Sequence, residues 1–444
     1  MLREYAGGRL DGEDRKRMYT FYHSYHGSPQ YGSTVGRLTD TAFFRYHDRP
    51  LSKMVTRALY GAMLQNSVSR LERYAACAYG HFLQYGLALR ERDGYTFEDV
   101  DMGNVFHGVL ELFARKLAEY GYTWFDFPKE EAARMVEEAV EAYGVAYGGT
   151  ILYSSARNQN LLKRMARILK RTVLTLQAQL RKGAFVPEQF EMSFSIIEDL
   201  DALNIALDGE ERMRLRGRID RVDACQVEDK VYVKVIDYKS GTRKFDLAAL
   251  YYGLQLQLVV YMNAAVEMEQ KKHPDKKVVP AAMLYYHIDD PMIEDGEGMT
   301  PEQINARLLQ ELKMTGIVNE SDEAVRLLDG EFTDKSEILP LERKKDGSLS
   351  SRSSVIKEED MQVVSDYVNH KIRQIGTGIL DGTISVNPYE QNGNQACTYC
   401  AYKSVCGYDG RIEGYEMRRL PRLAAAEALM CMRKETEERR AETE

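Results

Sequence analysis

The sequence has no long hydrophobic run: nothing in it approaches the roughly 18 consecutive apolar residues that a membrane-spanning helix needs. Its first residues, MLREYAGGRLDGEDRKR, contain no apolar stretch of the signal-peptide type. No G-x-x-x-x-G-K-[ST] phosphate loop occurs, so no ATP-driven motor of that class is encoded. These absences predict a cytoplasmic protein that does not bind membranes.

An excess of positive charge is also lacking, since 60 Lys and Arg residues stand against 68 Asp and Glu residues, a net charge of −8. This argues only weakly against nucleic-acid binding, because contact with phosphates needs local rather than overall positive charge. Locally basic segments exist at 163–171 and at 212–218, although a solvated helix face explains the first equally well. Arg214, Arg216 and Arg218 in the second segment are candidates for phosphate contact.

Helical spacing of apolar residues dominates the first part of the chain, and strand patterns dominate the middle. Helices are predicted over 67–86, 101–121, 129–147, 157–182, 246–270, 358–380 and 424–444. Strands are predicted over 185–196, 211–225, 230–241 and 278–288, with short helices and polar loops over 289–355. Ser67 and Asp101 are the expected helix N-caps, and Glu228-Asp229 is the expected turn between two strands. The fold class is therefore α/β, a mixed central sheet with a crossover helix inside a helical shell.

Two of these strands end in charged residues that buried strands rarely carry. Asp237 and Lys239 project to one face of strand 230–241, while Tyr238 points away. In strand 211–225, Asp220 follows the arginines along one face, so a hairpin would bring Asp220 and Asp237 together. An Asp and a Lys two apart are commonly an exposed ion pair. Two convergent carboxylates, however, suit Mg²⁺ or Mn²⁺, and an adjacent lysine can orient an attacking water.

The paired segments GRIDRVD and VIDYKSG resemble the RecB-like branch of the PD-(D/E)xK nucleases. The resemblance implies metal ligation by Asp220, by Asp237 and by the main-chain carbonyl of Tyr238, with Lys239 serving the attacking water. It also implies a further metal ligand in a G-x-x-x-H element, which Gly103 to His107 matches. Without this resemblance, His107 would be interpreted as a histidine packed within a helix. As a metal ligand, its imidazole nitrogen would favour Mn²⁺ over Mg²⁺.

The same family carries a Q-x-x-x-Y element that supports the active site and the DNA backbone. Gln257 and Tyr261 match it and, four residues apart, lie on one helix face. Gln255 is a second candidate for the glutamine, and an amphipathic helix would explain Tyr261 without any function.

Three of the six cysteines, Cys397, Cys400 and Cys406, lie within ten residues. A disulfide framework is not expected in a cytoplasmic chain, so this spacing indicates a metal or iron–sulfur site. A zinc site usually shows a second tight pair, and none exists here. The fourth ligand must come from afar: Cys77, Cys225, Cys431 or a histidine.

The segments LYGAMLQNSVSRLERYAACAYGHFLQYGLAL and QACTYCAYKSVCGYDG resemble the flanks of the nuclease domain in the AddB family, one of the two component families of AddAB helicase–nucleases. This resemblance implies a 4Fe–4S cluster on Cys77, Cys397, Cys400 and Cys406 that closes the helical shell, and Ala78 stands where the family often has proline. Five segments are expected: a remnant of a helicase-like region or a linker, a helical part, the nuclease core, the cysteine segment and a charged helical tail, at 1–60, 61–184, 185–390, 391–423 and 424–444.

The function expected from these resemblances is a metal-dependent DNA exonuclease that acts on single-stranded ends, beside an AddA-type helicase–nuclease subunit, in recombination and repair of double-strand breaks. The chain is expected to be a C-terminal portion of an AddB-type protein. Three alternatives remain open: a stand-alone iron–sulfur exonuclease like the CRISPR-associated adaptation nucleases, a non-catalytic DNA-binding scaffold, and a zinc-binding interaction module.

Overall fold

The computed structural model describes residues 2–6, 8–91, 99–147, 152–194, 200–207, 211–293 and 298–443. Within these residues, no helix is long and apolar enough to cross a membrane. Residues 195 and 196, which end the strand predicted over 185–196, lie outside the described part.

Helices precede, interrupt and follow the strands. In chain order they are α1 Leu2–Ala6, α2 Gly12–His26, α3 Gly32–Phe43, α4 Lys53–Tyr60, α5 Val68–Ala76, α6 Ala78–His81, α7 Asp99–Glu119, α8 Lys129–Ala146, α9 Ala156–Arg181, α10 Leu247–Tyr251, α11 Gln257–Lys272, α12 Pro301–Glu311, α13 Asp322–Leu328, α14 Glu358–Leu380, α15 Lys403–Cys406 and α16 Ala425–Thr443. A π-helical turn, Phe82–Gly86, continues α6. The predicted cap of α5 is confirmed, because Ser67 Oγ accepts a hydrogen bond from the Arg70 N–H at 3.4 Å.

Within the described ranges, the strands form one six-stranded sheet and two three-stranded sheets. In chain order they are β1 Met63–Ser67, β2 Val186–Ser193, β3 Asn204–Ala206, β4 Arg212–Arg216, β5 Arg218–Val227, β6 Lys230–Lys239, β7 Lys277–His287, β8 Thr315–Asn319, β9 Val355–Ile356, β10 Tyr389–Gln391, β11 Asn394–Gln395 and β12 Arg418–Arg419. The central sheet has the order β2-β5-β6-β7-β8-β9, and the small sheets have the orders β1-β4-β3 and β11-β10-β12.

The central sheet is mixed, as the sequence predicts. β5 is antiparallel to β2 and to β6, whereas β6 is parallel to β7. β5 and β6 are joined by Glu228 and Asp229, and Glu228 has a φ of +49°, which suits a tight two-residue hairpin turn. The predicted hairpin is therefore confirmed, and it fixes which residues of the two strands face each other.

A helix crosses from β6 to β7, because parallel neighbours require the chain to return along a face of the sheet. The prediction of a single helix over 246–270 is wrong, because the structure has two helices there. The chain leaves α10 at Tyr251, turns at Gly253, where φ is +78°, and starts α11 only at Gln257. Gln257 therefore lies in the first turn of α11, next to the end of β6.

Both faces of the central sheet are buried. Val222, Val233 and Val235 face a core shared with α5, α11 and α14. Ile236 and Tyr238 face a second core, which α7, α8 and α9 cover. A sheet covered on both sides explains why β6 reads as an almost continuous apolar run, and why any charge on it needs a partner.

The strand predicted over 211–225 is broken in two at Gly217. β4 pairs with β1 and β3 in a small sheet, while β5 begins at Arg218 and pairs with β2 and β6 in the central sheet. The alternation of buried and exposed residues is confirmed in β4, where Met213 and Leu215 are buried between more exposed arginines. It is not confirmed in β5, where every residue from Ile219 to Cys225 is buried. The prediction that all the arginines share one face is wrong, because these residues belong to two sheets with different partner strands.

Short strands in segments predicted as helical or irregular are the second difference. β1 lies in the part expected to be helical, β8 lies within 289–355, and β9 begins at the last residue of that segment. Each is five residues or shorter, so its structure comes from pairing with β4, β7 or β8 rather than from a long alternating pattern.

The prediction that Asp101 caps α7, the helix that carries His107, is wrong. Asp101 lies inside α7, in its first turn, and its Oδ1 accepts a hydrogen bond from the Tyr147 hydroxyl at 2.6 Å. The carboxylate thus holds the end of α8 against α7, and the residue before α7 lies outside the described part.

Gly316 of β8 is expected to tolerate no side chain. Its φ is +142°, and a Cβ there would lie 2.1 Å from the carbonyl oxygen of Met283 in the neighbouring strand. Gly316→Ala should lower the free energy of unfolding by about 2 kcal/mol or more, measured by chemical denaturation. Gly347, with φ +84° and no atom within 4 Å, is the control: Gly347→Ala should cost only about 1 kcal/mol. Equal losses would contradict the close contact.

Candidate functional site

Asp220 and Asp237 face each other at one end of the β5–β6 hairpin. The pairing of Arg221 with Ile236 sets the register, and both carboxylates are buried, with 6% and 1% of their surfaces exposed. Asp220 Oδ2 accepts a hydrogen bond from the Tyr238 N–H at 2.7 Å. Burial, reinforced by the charge of Asp220, raises the pKa of Asp237 to about 7. The predicted convergence is confirmed, and the two carboxylates would be stabilised by a cation.

His107 reaches the same point from α7. Its Nδ1 lies 2.9 Å from Glu191 Oε1 and 3.4 Å from Asp220 Oδ1, and one ligand atom from each of the three residues lies within 4.8 Å of the others. Burial lowers the pKa of His107, but hydrogen bonds to Asp220 and Glu191 outweigh that effect and raise it to about 10. The two carboxylates thus favour a proton on the imidazole, and a bound cation would compete with that proton.

Glu191 is the site residue that the sequence reasoning missed. It lies on β2 with a φ of +46°, between Phe190, which pairs with Arg221, and Met192, which pairs with Ile219. Its side chain is 1% exposed and is ion-paired through Oε2 with Arg218 Nε at 2.7 Å. A non-glycine residue in the left-handed region is strained, and such strain is concentrated at functional sites. The sequence offered one sign of this role, a glutamate next to the apolar Met192 within a predicted strand. A carboxylate that is buried in such a strand needs a partner.

Lys239 lies on the other side of the two aspartates. Its Nζ is ion-paired with Asp237 Oδ2 and donates a hydrogen bond to Gln257 Oε1 at 2.9 Å. Gln257 Nε2 donates in turn to the Tyr261 hydroxyl at 2.8 Å, so both residues lie on one face of α11, as predicted. Gln255 is directed elsewhere and binds the main chain of Asp246 and Lys244. The structure thus brings Gln257 to the lysine.

Tyr238 points away from the carboxylates, as strand alternation predicts. Its ring is buried and packs edge-on against that of His107, with centroids 6.0 Å apart. On this reverse face Arg221 forms two hydrogen bonds with Asp223, of 2.6 and 2.7 Å, and Lys234 Nζ lies 3.0 Å from the same carboxylate. One buried carboxylate thus pairs with two cationic side chains on this face.

Of the candidate phosphate-binding arginines, the structure brings only Arg218 to the site. Arg218 contacts Glu191 and lies 3.8 Å from Glu111 Oε2, with half of its side chain exposed. Arg214 and Arg216 lie on β4 in the neighbouring small sheet, where Arg216 is exposed and Arg214 half-buried. Gly217 separates these two arginines from Arg218, so they lie beside the site on the neighbouring sheet.

Four of the six cysteines line one cavity at the helical shell. Cys77, between α5 and α6, faces Cys397, Cys400 and Cys406 across it, and Arg73 Nη2 donates to Cys400 Sγ at 3.2 Å. None of the six cysteines is paired in a disulfide. Burial, followed by the charges of the other three cysteines, raises the pKa of the Cys397 thiol. Cys225, on β5, and Cys431, on α16, do not line this cavity.

The donor set of the acidic site fits a divalent cation. Ligand atoms of Glu191, Asp220 and His107 lie within 4.8 Å of one another, and Asp237 faces Asp220 across the hairpin. Such mixed oxygen and nitrogen donors suit Mn²⁺ or Mg²⁺. Asp237 Oδ2 is fully buried and accepts no hydrogen bond of good geometry beyond its ion pair with Lys239. A buried oxygen held by one such ion pair would be stabilised further by a bound cation.

A mixed sheet whose hairpin carries two converging aspartates and a lysine defines a class of metal-dependent nucleases. The family model of the PD-(D/E)XK nuclease superfamily matches residues 65–407, and the chain belongs to this superfamily.

The chain is also similar to the B subunit of the ATP-dependent helicase/deoxyribonuclease of Lachnoclostridium phytofermentans, with 38% identity over 98% of the chain and 37% of that protein. The proteins of the same name from Alkaliphilus oremlandii and Bacillus mycoides are each 35% identical over 88% and 93% of the chain, and 34% and 36% of their own lengths. The chain thus spans just over a third of the length of these curated relatives.

Removing the Glu191 carboxylate is expected to weaken cation binding. Glu191→Gln should raise the Kd for Mn²⁺ about tenfold, because one charged oxygen ligand is lost from a small donor set. Calorimetric titration of the DNA-free protein measures this. Glu188→Gln on the same strand, which only loses an ion pair with Lys272, should leave the Kd unchanged. Equal effects of the two variants would exclude Glu191 from the cation site.

Cation binding should strengthen as the pH rises. Since a cation must replace the proton on His107, whose pKa is raised to about 10, affinity is low below that pKa and increases as the proton is lost. The Kd for Mn²⁺ should fall about tenfold per pH unit between about pH 7.5 and 9, as expected when one proton is released. His107→Gln should flatten this dependence, and an unchanged slope would contradict the role of His107.

Proposed function

We propose that this chain is the nuclease module of an AddB-like protein and that it hydrolyses phosphodiester bonds of DNA with the help of Mg²⁺ or Mn²⁺. The observation that carries the proposal is the convergence of Asp220, Asp237 and Lys239 with His107 at one end of a buried hairpin. Membership of the PD-(D/E)XK nuclease superfamily and the deoxyribonuclease names of the relatives support it.

In the proposed mechanism, Asp220, Asp237, His107 and the main-chain carbonyl of Tyr238 would hold the cation together with Glu191. A divalent cation bound there would lower the pKa of a water molecule and stabilise charge on the phosphate. Lys239 orients the attacking water and offsets the negative charge that develops during attack. Gln257 and Tyr261 hold the lysine amine beside Asp237, through hydrogen bonds of 2.9 and 2.8 Å.

The DNA backbone is proposed to approach over the small sheet that precedes β5. Arg216 and Arg214 lie on that sheet, and Arg218 stands between it and the acidic site. Arg218 also pairs with Glu191, so it is proposed to hold that carboxylate as well as to contact a phosphate. Single-stranded ends are the proposed substrate, because one strand can enter a partly buried site more easily than a duplex.

The relatives' name describes part of an ATP-dependent helicase/deoxyribonuclease. Since that name describes one subunit, an AddA-type protein is proposed as the partner that supplies ATP-driven strand delivery. The proposed role is end processing in recombination and double-strand break repair, in the cytoplasm.

The four-cysteine cavity is proposed to hold a 4Fe–4S cluster on Cys77, Cys397, Cys400 and Cys406. Four thiols around one cavity match the ligand number of such a cluster, and the raised pKa of Cys397 means that uncompensated thiolates are unfavourable there. A cluster would cross-link α5 to a segment about 320 residues later in the chain, and closing so long a loop stabilises a fold in the entropic view.

Asp237→Asn is expected to reduce cleavage by about three powers of ten, because several kcal/mol of charge stabilisation depend on the cation. The measurement is the rate of cleavage of end-labelled single- and double-stranded DNA with Mg²⁺ or Mn²⁺. Asp229→Asn, at the exposed hairpin turn, should retain wild-type rates. Wild-type cleavage by Asp237→Asn would contradict the assignment, and DNA binding by an inactive wild-type chain would favour the scaffold alternative.

Cys400→Ser is expected to abolish visible absorbance near about 400 nm and to reduce the iron content of anaerobically purified protein. Cys431→Ser, which alters a cysteine of α16, should keep both. Elemental analysis separates the possibilities: about four iron atoms per chain support the cluster, whereas about one zinc and no colour would replace it by a zinc site.

A further inference from the structure

Glu72 of α5 ties together two segments that border Lys239. Its side chain is 14% exposed, and its Oε1 accepts hydrogen bonds from the main-chain N–H groups of Leu256 at 2.8 Å and Gln257 at 3.3 Å. Its Oε2 accepts from Arg243 Nη2 at 3.2 Å. One carboxylate thus joins the start of α11 to the loop that follows β6.

The start of α11 lacks a capping side chain of its own. Leu256 occupies the N-cap position and provides no side-chain hydrogen bond, although the first N–H groups of any helix have no partner within it. Glu72 supplies the missing acceptor from another helix, and a negative charge is favourable at that end of the helix dipole. The residue whose N–H it binds, Gln257, also accepts the hydrogen bond from Lys239.

Arg243 fastens the other segment. It follows Lys239 by four residues, and its Nη2 donates both to Glu72 and to the carbonyl oxygen of Leu254 at 2.6 Å. The chain on either side of α10 is thereby held together just where Lys239 and Gln257 meet.

We infer that Glu72 is a positioning residue for the nuclease reaction: it sets Gln257, and through Arg243 the segment after β6, at the separation at which Gln257 holds the Lys239 amine. The inference rests on the proposed function of Lys239. A shift of about 1 Å in a catalytic group can cost about 100-fold in rate. Because Glu72 acts through main-chain groups and Arg243, its loss should lower kcat without raising KM for DNA.

The test compares Glu72→Gln with a matched substitution in the full 444-residue chain. Glu267 of α11 also accepts two main-chain hydrogen bonds, from Asp201 and Ala202 at 2.9 Å each, and is ion-paired with Lys271 at 3.1 Å. Glu72→Gln should lower kcat about tenfold with KM unchanged, whereas Glu267→Gln should keep the wild-type kcat. Equal kcat values for the two variants overturn the inference.

A double-mutant cycle shows whether Glu72 acts through Gln257. In a Gln257→Ala background, Glu72→Gln should reduce kcat no further, because the group that it positions is already gone. A second loss of the same size would mean general loosening of the fold and would overturn the inference. If Glu72→Gln does not fold, Glu72→Asp, which keeps the charge but shortens the side chain, takes its place with the same expected pattern.

The two proposals fail in different ways. A folded wild-type chain that does not cleave DNA with Mg²⁺ or Mn²⁺ overturns the proposed function, and this inference with it. An active wild-type chain in which Glu72→Gln and Glu267→Gln behave alike overturns the role of Glu72 alone.

Discussion

The pairing register of β5 and β6 is the constraint on which the rest of the site depends. It places Asp220 opposite Asp237 on a sheet that is covered on both faces, so the two carboxylates meet away from water. A slip of one residue in either strand would turn its aspartate toward the opposite core, and the tight turn at Glu228 opposes such a slip. Because buried like charges repel, the two aspartates need cationic partners, and an imidazole lies on one side of them and a lysine amine on the other.

The two faces of the hairpin treat charge in opposite ways. On the reverse face, Arg221, Asp223 and Lys234 are buried together, and one carboxylate pairs with two cationic side chains. On the site face, three carboxylates lie close together, and the buried Oδ2 of Asp237 is held by its ion pair with Lys239. A group of buried carboxylate oxygens of this kind is what makes that point suitable for a divalent cation.

The helical shell contacts both the cysteine cavity and the acidic site. α5 carries Cys77 at its end, Arg73 against Cys400, and Glu72 against the start of α11. One short helix therefore contacts both the cysteine cavity and the segment that holds Gln257. Neighbouring residues of α5 point in different directions, and this geometry allows a helix of nine residues to serve both places.

Local patterns in the sequence determined the parts of this protein that depend on neighbouring residues. The alternation of β5 and β6 and their two-residue turn predicted the hairpin and its acidic pair, and helical spacing placed Gln257 and Tyr261 on one face, because strand and helix periods fix which side chains share a face. His107 was expected from the resemblance of its G-x-x-x-H element to a nuclease family and not from a local period. Tertiary structure alone decided the rest. Glu191 joins His107 only because β2 pairs with β5 and Glu191 adopts a left-handed backbone conformation within β2. The arginine strand breaks because its two halves have different partner strands. Glu72 caps a helix that begins about 185 residues later in the chain. Such contacts depend on which segments pack together, and no local period encodes that.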